Sequence, residues 1–134
     1  MRPTEQAVSP RHMAWNTAGL QPREQFPFYR EGVCKAFMTL TPERPPAAGF
    51  QASIEHVRFG DAAVNHVNFP AHVVTRSPAD IAASDKSCFY LNLKLAGRCR
   101  ILQAGRAVDI AAGQVGIFDS DRPFELLHDG GSQL

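Results

Sequence analysis

Between Phe89 and Leu127 apolar and polar residues alternate strand after strand, with glycine turns about eight residues apart, the pattern of short antiparallel strands. Phe89, Leu91, Leu93 and Leu95 alternate with Tyr90, Asn92 and Lys94, which predicts a strand with one buried and one wet face, the apolar row turned inward. Ala96-Gly97 turns the chain into a strand over Arg98–Gln103, and Ala104-Gly105 turns it again into Ala107–Ile110. Ala112-Gly113 opens Val115–Asp119, and a last strand over Pro123–His128 runs into Asp129-Gly-Gly-Ser132.

Upstream the period is different. Phe26, Tyr29, Val33, Phe37 and Leu40 recur at spacings of three and four, so one amphipathic helix is expected from Pro22 to about Thr41-Pro42. Pro22 and Pro27 are tolerable only in or before its first turn. After a linker over Glu43–Gly49 the period drops to two. Phe50, Ala52 and Ile54 share one phase and Val57 and Phe59 the other, which predicts a bulge or strong twist at Glu55-His56. Gly60-Asp61 reads as a hairpin turn into a strand through Val64–Phe69, followed by a third strand over Ala71–Thr75 and a connection over Ser77–Lys86 with a helical turn. Residues 1–14, with Pro3 and Pro10 and no periodicity, read as a flexible leader. One helix followed by about eight strands predicts a mainly β protein: a cupin-like jelly roll or small β-barrel with an N-terminal amphipathic helix, the barrel left short of a strand at its C-terminal end.

Composition narrows the function classes. The 134 residues suit one domain, here 15–134. The 14 basic and 13 acidic residues are scattered, with no basic cluster of the kind a nucleic-acid backbone requires, so the chain alone is expected not to bind DNA. No signal peptide and no apolar run of membrane length is visible, so a soluble cytoplasmic protein without a membrane partner is expected. Cys34, Cys88 and Cys99 are odd in number and have no metal-ligand spacing, which argues against a disulfide framework or zinc site.

Candidate chemistry is sparse. A metal-binding cupin would carry a His-x-His pair with a nearby Glu and a further His after the turn at Gly113; here His56, His66 and His72 are scattered and Ser120-Asp-Arg-Pro-Phe124 holds no imidazole. No metal and no other cofactor is expected. Cys99 alternates away from Arg98 and Arg100 and reads as an inert core thiol, and no nucleophile elbow or phosphate loop is present, so no enzyme is expected. Asp119-Ser-Asp-Arg-Pro-Phe124 has what a tight corner needs, side-chain oxygens for nearby backbone N–H groups and a proline to fix the next strand; a ligand role for Asp119 or Arg122 is the alternative. A small barrel fills with side chains or holds one small molecule. The candidates for such a site are Ile54, Phe89, Leu91, Leu93 and Phe118 as apolar wall, with His56, His66 and Arg76 as polar groups reaching in.

The run Phe89-Tyr-Leu-Asn-Leu-Lys-Leu-Ala-Gly-Arg98, followed by Gln103-Ala-Gly-Arg-Ala-Val-Asp-Ile-Ala-Ala-Gly113 and Val115-Gly-Ile-Phe-Asp-Ser-Asp-Arg-Pro-Phe-Glu-Leu126, resembles the N-terminal ligand-binding domain of AraC/XylS-type bacterial transcription regulators. Ala112 replaces that family's usual proline and Gln114 its usual acid. The resemblance covers 15–134 and implies a small organic effector, an aromatic acid or amine, bound in the barrel. It also implies DNA binding by a C-terminal helix-turn-helix domain that this sequence lacks, while a homodimer is expected because a sheet short of a strand presents an unpaired edge. The rival readings are a stand-alone cupin-like enzyme of small-molecule metabolism and a dimerisation module with a filled barrel.

Overall fold

The computed structural model describes residues 12–134. Its strands are β1 (His12–Asn16), β2 (Thr41–Glu43), β3 (Ser53–Phe59), β4 (Ala62–Phe69), β5 (His72–Arg76), β6 (Phe89–Ala96), β7 (Arg98–Gln103), β8 (Arg106–Ala111), β9 (Val115–Asp119), β10 (Phe124–His128) and β11 (Gly131–Gln133), with helices α1 (Pro22–Ala36) and α2 (Pro78–Ala83). They form a six-stranded sheet in the order β1-β3-β4-β11-β6-β9 and a five-stranded sheet in the order β2-β5-β10-β7-β8. Every pairing described below is antiparallel. The fold is mainly β, as its alternation predicts, and cupin-like in its two sheets; these do not close into a barrel.

Four local expectations change. Of the leader, residues 1–11 lie outside the described residues, while His12–Ala14 begin β1, paired with β3. The α1 helix stops at Ala36 rather than near Thr41, and Thr41–Glu43 instead pairs with β5. Leu40 stays buried without being helical, so apolar spacing persisted past the point where the backbone turned. Pro27 sits in the second turn; it and Arg23, whose carbonyl it leaves without a helical donor, are both exposed, so water can satisfy the carbonyl. No bulge interrupts β3: its register with β4 is continuous from Ser53↔Asn68 to Phe59↔Ala62, which keeps His56 on the inward side with Ile54 and leaves Phe59 exposed.

The C-terminal end differs most. Gly131–Gln133 is an inner strand, lying between β4 and β6. The shortfall expected there is filled, and the edges of the larger sheet are β1 and β9. This strand is reached by a close backbone crossing. Gly97 (φ +82) and Gly131 (φ +108) occupy it because a Cβ on the first would strike the carbonyl of Gly130 and one on the second that of Ala96.

Between the sheets, Phe50, Ile54, Val67, Ile101, Ile110 and Phe118 pack with Phe26, Tyr29 and Val33 of α1. The helix starts at Gln21, whose backbone N–H donates to Glu24 Oε1 at 3.1 Å, and Pro22 takes the first helical position, where no N–H is needed. It is pinned to the sandwich by buried Gln25, which accepts from the Phe50 N–H at 2.6 Å and donates to the Leu20 carbonyl at 3.3 Å.

Candidate functional site

Strand β6 places its inner side chains opposite to the expectation. Tyr90, Asn92 and Lys94 point into the sandwich, whereas Phe89 is 75% and Leu91 60% exposed. The register with β9 explains it. Directly opposed residues in an antiparallel pair share a face, and Tyr90 lies opposite Phe118, Asn92 opposite Gly116. Phe118 is buried, and a Cβ on Gly116 would collide with Ile101 Cδ1 of the other sheet, so this side of β9 is the packed one. Leu91 and Leu93 face outward with Ile117 and Val115.

The inward row of β6 borders a cavity between α1 and the two sheets. Helix α1 contributes Tyr29 and Val33, its capping residue Phe37 joins them, and β4 contributes Val67 and Phe69. From the other strands come Val74, Phe118, Phe124, Leu126 and His128, and β11 supplies Gln133. The cavity is only about 30 Å³, room for one or two waters. A ring can enter only if side chains part, and Phe37 at the end of α1 is half-buried.

Two chemistries meet at the cavity: lining rings on one side, and on the other the lining His128 with His72 and Lys94 packed against it. On one side the rings of Tyr90 and Phe118 lie 5.3 Å apart and those of Phe118 and Phe124 4.6 Å apart. On the other, His72 and His128 stack at 5.3 Å, and the buried Lys94 ammonium stands 3.5 Å from His128 Nδ1 and 4.8 Å from the centre of the Phe69 ring. His72 Nδ1 faces the Pro70 carbonyl at 3.0 Å, which can only accept, so Nδ1 carries the proton and Nε2 accepts from the Tyr29 hydroxyl at 2.9 Å. Burial lowers the His72 pKa to about 4 and pushes that of His128 well below the ordinary range, with Lys94 adding to both effects. Both imidazoles are therefore neutral at pH 7.

Among the described residues three buried side-chain polar atoms have no hydrogen-bond partner: the Tyr90 hydroxyl, Asn92 Nδ2 and Gln133 Oε1. All belong to residues lining this cavity. The Cys88 thiol is close enough to affect the titration of Tyr90 but makes no well-formed bond to it, and burial is the main reason the phenol pKa is raised. Leaving such groups unpaired costs about 1–3 kcal/mol each. A second, wider depression of about 430 Å³ beside β1 lacks such groups. Its Thr17 hydroxyl exchanges hydrogen bonds with Ala52, and its Asn68 donates to Ser53.

Of the eight residues expected to form a ligand site, Phe118 alone lines the cavity. Ile54 is core, and His56 is buried against the Asn65 carbonyl oxygen, Nδ1 to Oδ1 at 2.7 Å. His66 pairs with the Ser132 hydroxyl at 3.0 Å. Arg76 is a strut: its guanidinium donates to the carbonyls of Ser120 and Thr39, each at 2.8 Å. Phe89, Leu91 and Leu93 face away from the core because of the β9 register. Among the described residues no three His, Cys, Asp or Glu side chains converge as a metal site would require. Cys99 is buried opposite Arg98 and Arg100 as alternation predicts, and burial raises its thiol pKa to about 11. The Asp119 corner is structural. Asp119 Oδ1 accepts from the Asp121 N–H at 2.8 Å, and Ser120 Oγ accepts from the Cys88 N–H at 2.8 Å. The residues that sequence reasoning missed are Asn92, Lys94, His128 and Gln133; the signal available was Gly116, a glycine inside a strand in phase with Phe118.

Comparison with known proteins adds a second line. The model of a family described as an AraC-binding-like domain matches residues 29–134. An uncharacterized protein in the nit 5' region of Bacillus sp. (strain OxB-1) is 26% identical over 111 residues, 83% of this chain and 43% of that protein. The crystal structure of the AraC-like transcriptional activator CuxR superposes with a TM-score of 0.81 at 18% identity, over 91% of this chain and 45% of that one, a likeness of fold. The chain thus spans less than half the length of these two relatives. No helix among the described residues is long and apolar enough to cross a membrane.

Proposed function

The chain belongs to the AraC-binding-like domain family, a regulatory ligand-binding type of domain, and from that premise we propose that it binds a small organic effector in the cavity between α1 and the two sheets. The observation that carries this reading is the set of three partnerless polar atoms, from Tyr90, Asn92 and Gln133, in an otherwise largely apolar cavity. A bound molecule with an apolar ring and one polar group would spread the aromatic walls and pair part of this set, an aromatic acid accepting from Asn92 Nδ2 or an aromatic amine donating to Gln133 Oε1. Because Tyr29 and Val33 come from α1 and Phe37 caps it, filling the cavity shifts that helix. This gives the ligand a physical output, since it acts only through a difference in affinity between two arrangements.

Within the same reading the domain regulates a transcription factor whose DNA contacts lie in a separate part, in keeping with relatives about twice as long. It is cytoplasmic, and it works as a homodimer, supported by the uncovered apolar row of β6 and β9. The family is regulatory and points away from an enzyme.

A ligand that binds only the folded state raises the melting temperature, so a thermal-shift screen of aromatic acids and amines tests the reading. Hits should vanish when Val33→Phe fills the cavity and persist when Leu91→Ala trims the outer face. Hits sensitive to Leu91 and indifferent to Val33 would put the site elsewhere.

A further inference from the structure

The interior of this sandwich has a sign. Among the described residues the buried charged side chains are Arg76 and Lys94, and no Asp or Glu is buried. Arg76 at one side of Tyr90 is satisfied by two backbone carbonyls. Lys94 is not satisfied. It is fully buried, its ammonium reaches His128 at 3.5 Å, the outer limit of a hydrogen bond, and its remaining contact is with the Phe69 ring. No carboxylate of the described residues lies within ion-pair distance of it. Burial holds the Lys94 pKa below its ordinary value, and Cys99 and Asp129 oppose this only through space, the Asp129 carboxylate accepting from the Arg98 N–H at 2.6 Å. The charge-bearing groups around Lys94 are thus two neutral imidazoles, the Cys99 thiol and distant Asp129. An uncompensated buried cation costs several kcal/mol. The Lys94 side chain is in turn surrounded by cavity-lining residues, since Gln133 is its cross-strand partner and His128 and Phe69 are its contacts.

We propose that the ligand of this cavity is an organic carboxylate rather than an amine or a neutral amide: its apolar ring lies among Tyr90, Phe118 and Phe124, and its carboxylate draws on the Asn92 amide and the Lys94 ammonium. The inference rests on the effector-site reading above and specifies its ligand. Asn92 Nδ2 is a donor without an acceptor in a residue 4% exposed, which a carboxylate oxygen supplies. Gln133, turned end for end, offers its own Nε2 at the same place. Tyr90, Asn92 and Lys94 stand two residues apart on one strand, roughly 6–7 Å per step, so hydroxyl, amide and ammonium form a row of donors along one wall. An amine in that row would meet Lys94 as a like charge, with no acidic side chain among the lining residues to receive it.

Calorimetric titration of the whole chain with benzoate, phenylacetate and 3-phenylpropanoate, each beside its primary amide and the amine of equal carbon number, tests the proposal. The acid of at least one size should bind about 10- to 100-fold more tightly than its amide and amine, the range of a charge-assisted hydrogen bond. Lys94→Met should erase that preference by weakening the acid alone. Asn92→Asp, nearly isosteric, should reverse it toward the amine and carries the test where Lys94→Met does not fold. Amide or amine binding as well as acid in the unsubstituted chain, or an acid preference that survives both substitutions, overturns the carboxylate assignment and leaves the effector site standing. No binding by any compound of the series overturns both.

Discussion

The two faces of β6 carry opposite chemistry, and each is in the more costly place. Inward, the strand buries an amide and an ammonium without full partners; outward, it and β9 expose Phe89, Leu91, Ile117 and Val115 at 75%, 60%, 66% and 48%. Burying an aliphatic or aromatic side chain of this size gains about 1.5–3 kcal/mol, so exposing several forgoes a large sum. On β10, by contrast, Phe124 and Leu126 are buried and Glu125 is exposed. On β6 and β9 the two departures coincide on one strand pair. Stability is given up there on both sides, inside toward a cavity and outside toward solvent or a partner, which is where function would be expected to override packing.

The comparison breaks most visibly in stability. Phe118→Ala should cost about 3–5 kcal/mol in urea unfolding, the usual loss for a buried aromatic. Leu91→Ala, on the strand opposite, should stay within about 0.5 kcal/mol of the unsubstituted chain. Equal losses at the two positions would mean that β6 presents its leucines to the core after all.

Acid should sharpen the inner half. His72 has its pKa lowered from 6.5 to about 4 by burial, so between those values the unfolded chain binds the proton more readily. The stability it contributes is complete above about pH 6.5 and falls away as pH drops toward 4, by up to roughly 3 kcal/mol. His128 shifts the same way and steepens the loss. Unfolding free energies measured from pH 7 to 4.5, with His72→Gln and His128→Gln flattening the profile, check this; a profile unchanged by both substitutions would contradict the buried, neutral pair.

Much of this was legible in the chain. Strand positions from β6 to β10 followed from alternation and glycine turns, the apolar face of α1 from its three-and-four spacing, and the inert Cys99 from its phase against two arginines. The polarity of β6 was not. A period of two assigns residues to two faces without saying which is inner, and the greater hydrophobicity of the leucine row pointed the wrong way. The cross-strand register decides it, through Gly116 opposite Asn92, and register is a long-range property. For the same reason β11 escaped notice, since Gly131–Gln133 is too short to show a period and is a strand only because β4 and β6 leave a place for it. Most of the expected site residues lie away from the cavity: Arg76 and His56 are inward as residue type and phase suggest, yet both are occupied by structural hydrogen bonds that no spacing reveals.

The smallest effect on stability, and the sharpest on behaviour, belongs to the outer face. Leu91 and Ile117 are directly opposed across β6 and β9, with Leu93 and Val115 as the next outward pair, so the exposed apolar side chains adjoin one another. Adjoining apolar surface of this kind marks an interaction site, and in a symmetric dimer the same patch serves both copies. Replacing the pair by Leu91→Glu and Ile117→Lys puts opposite charges where the side chains already meet and leaves the backbone ladder intact. The doubly substituted chain should unfold within about 1 kcal/mol of the original, because neither side chain is buried in the single chain. Light scattering across a concentration series should show the original chain associating and the substituted one remaining monomeric. Association that survives the pair of charges would assign the dimer to another surface, and a loss of several kcal/mol would show this face to be part of the core.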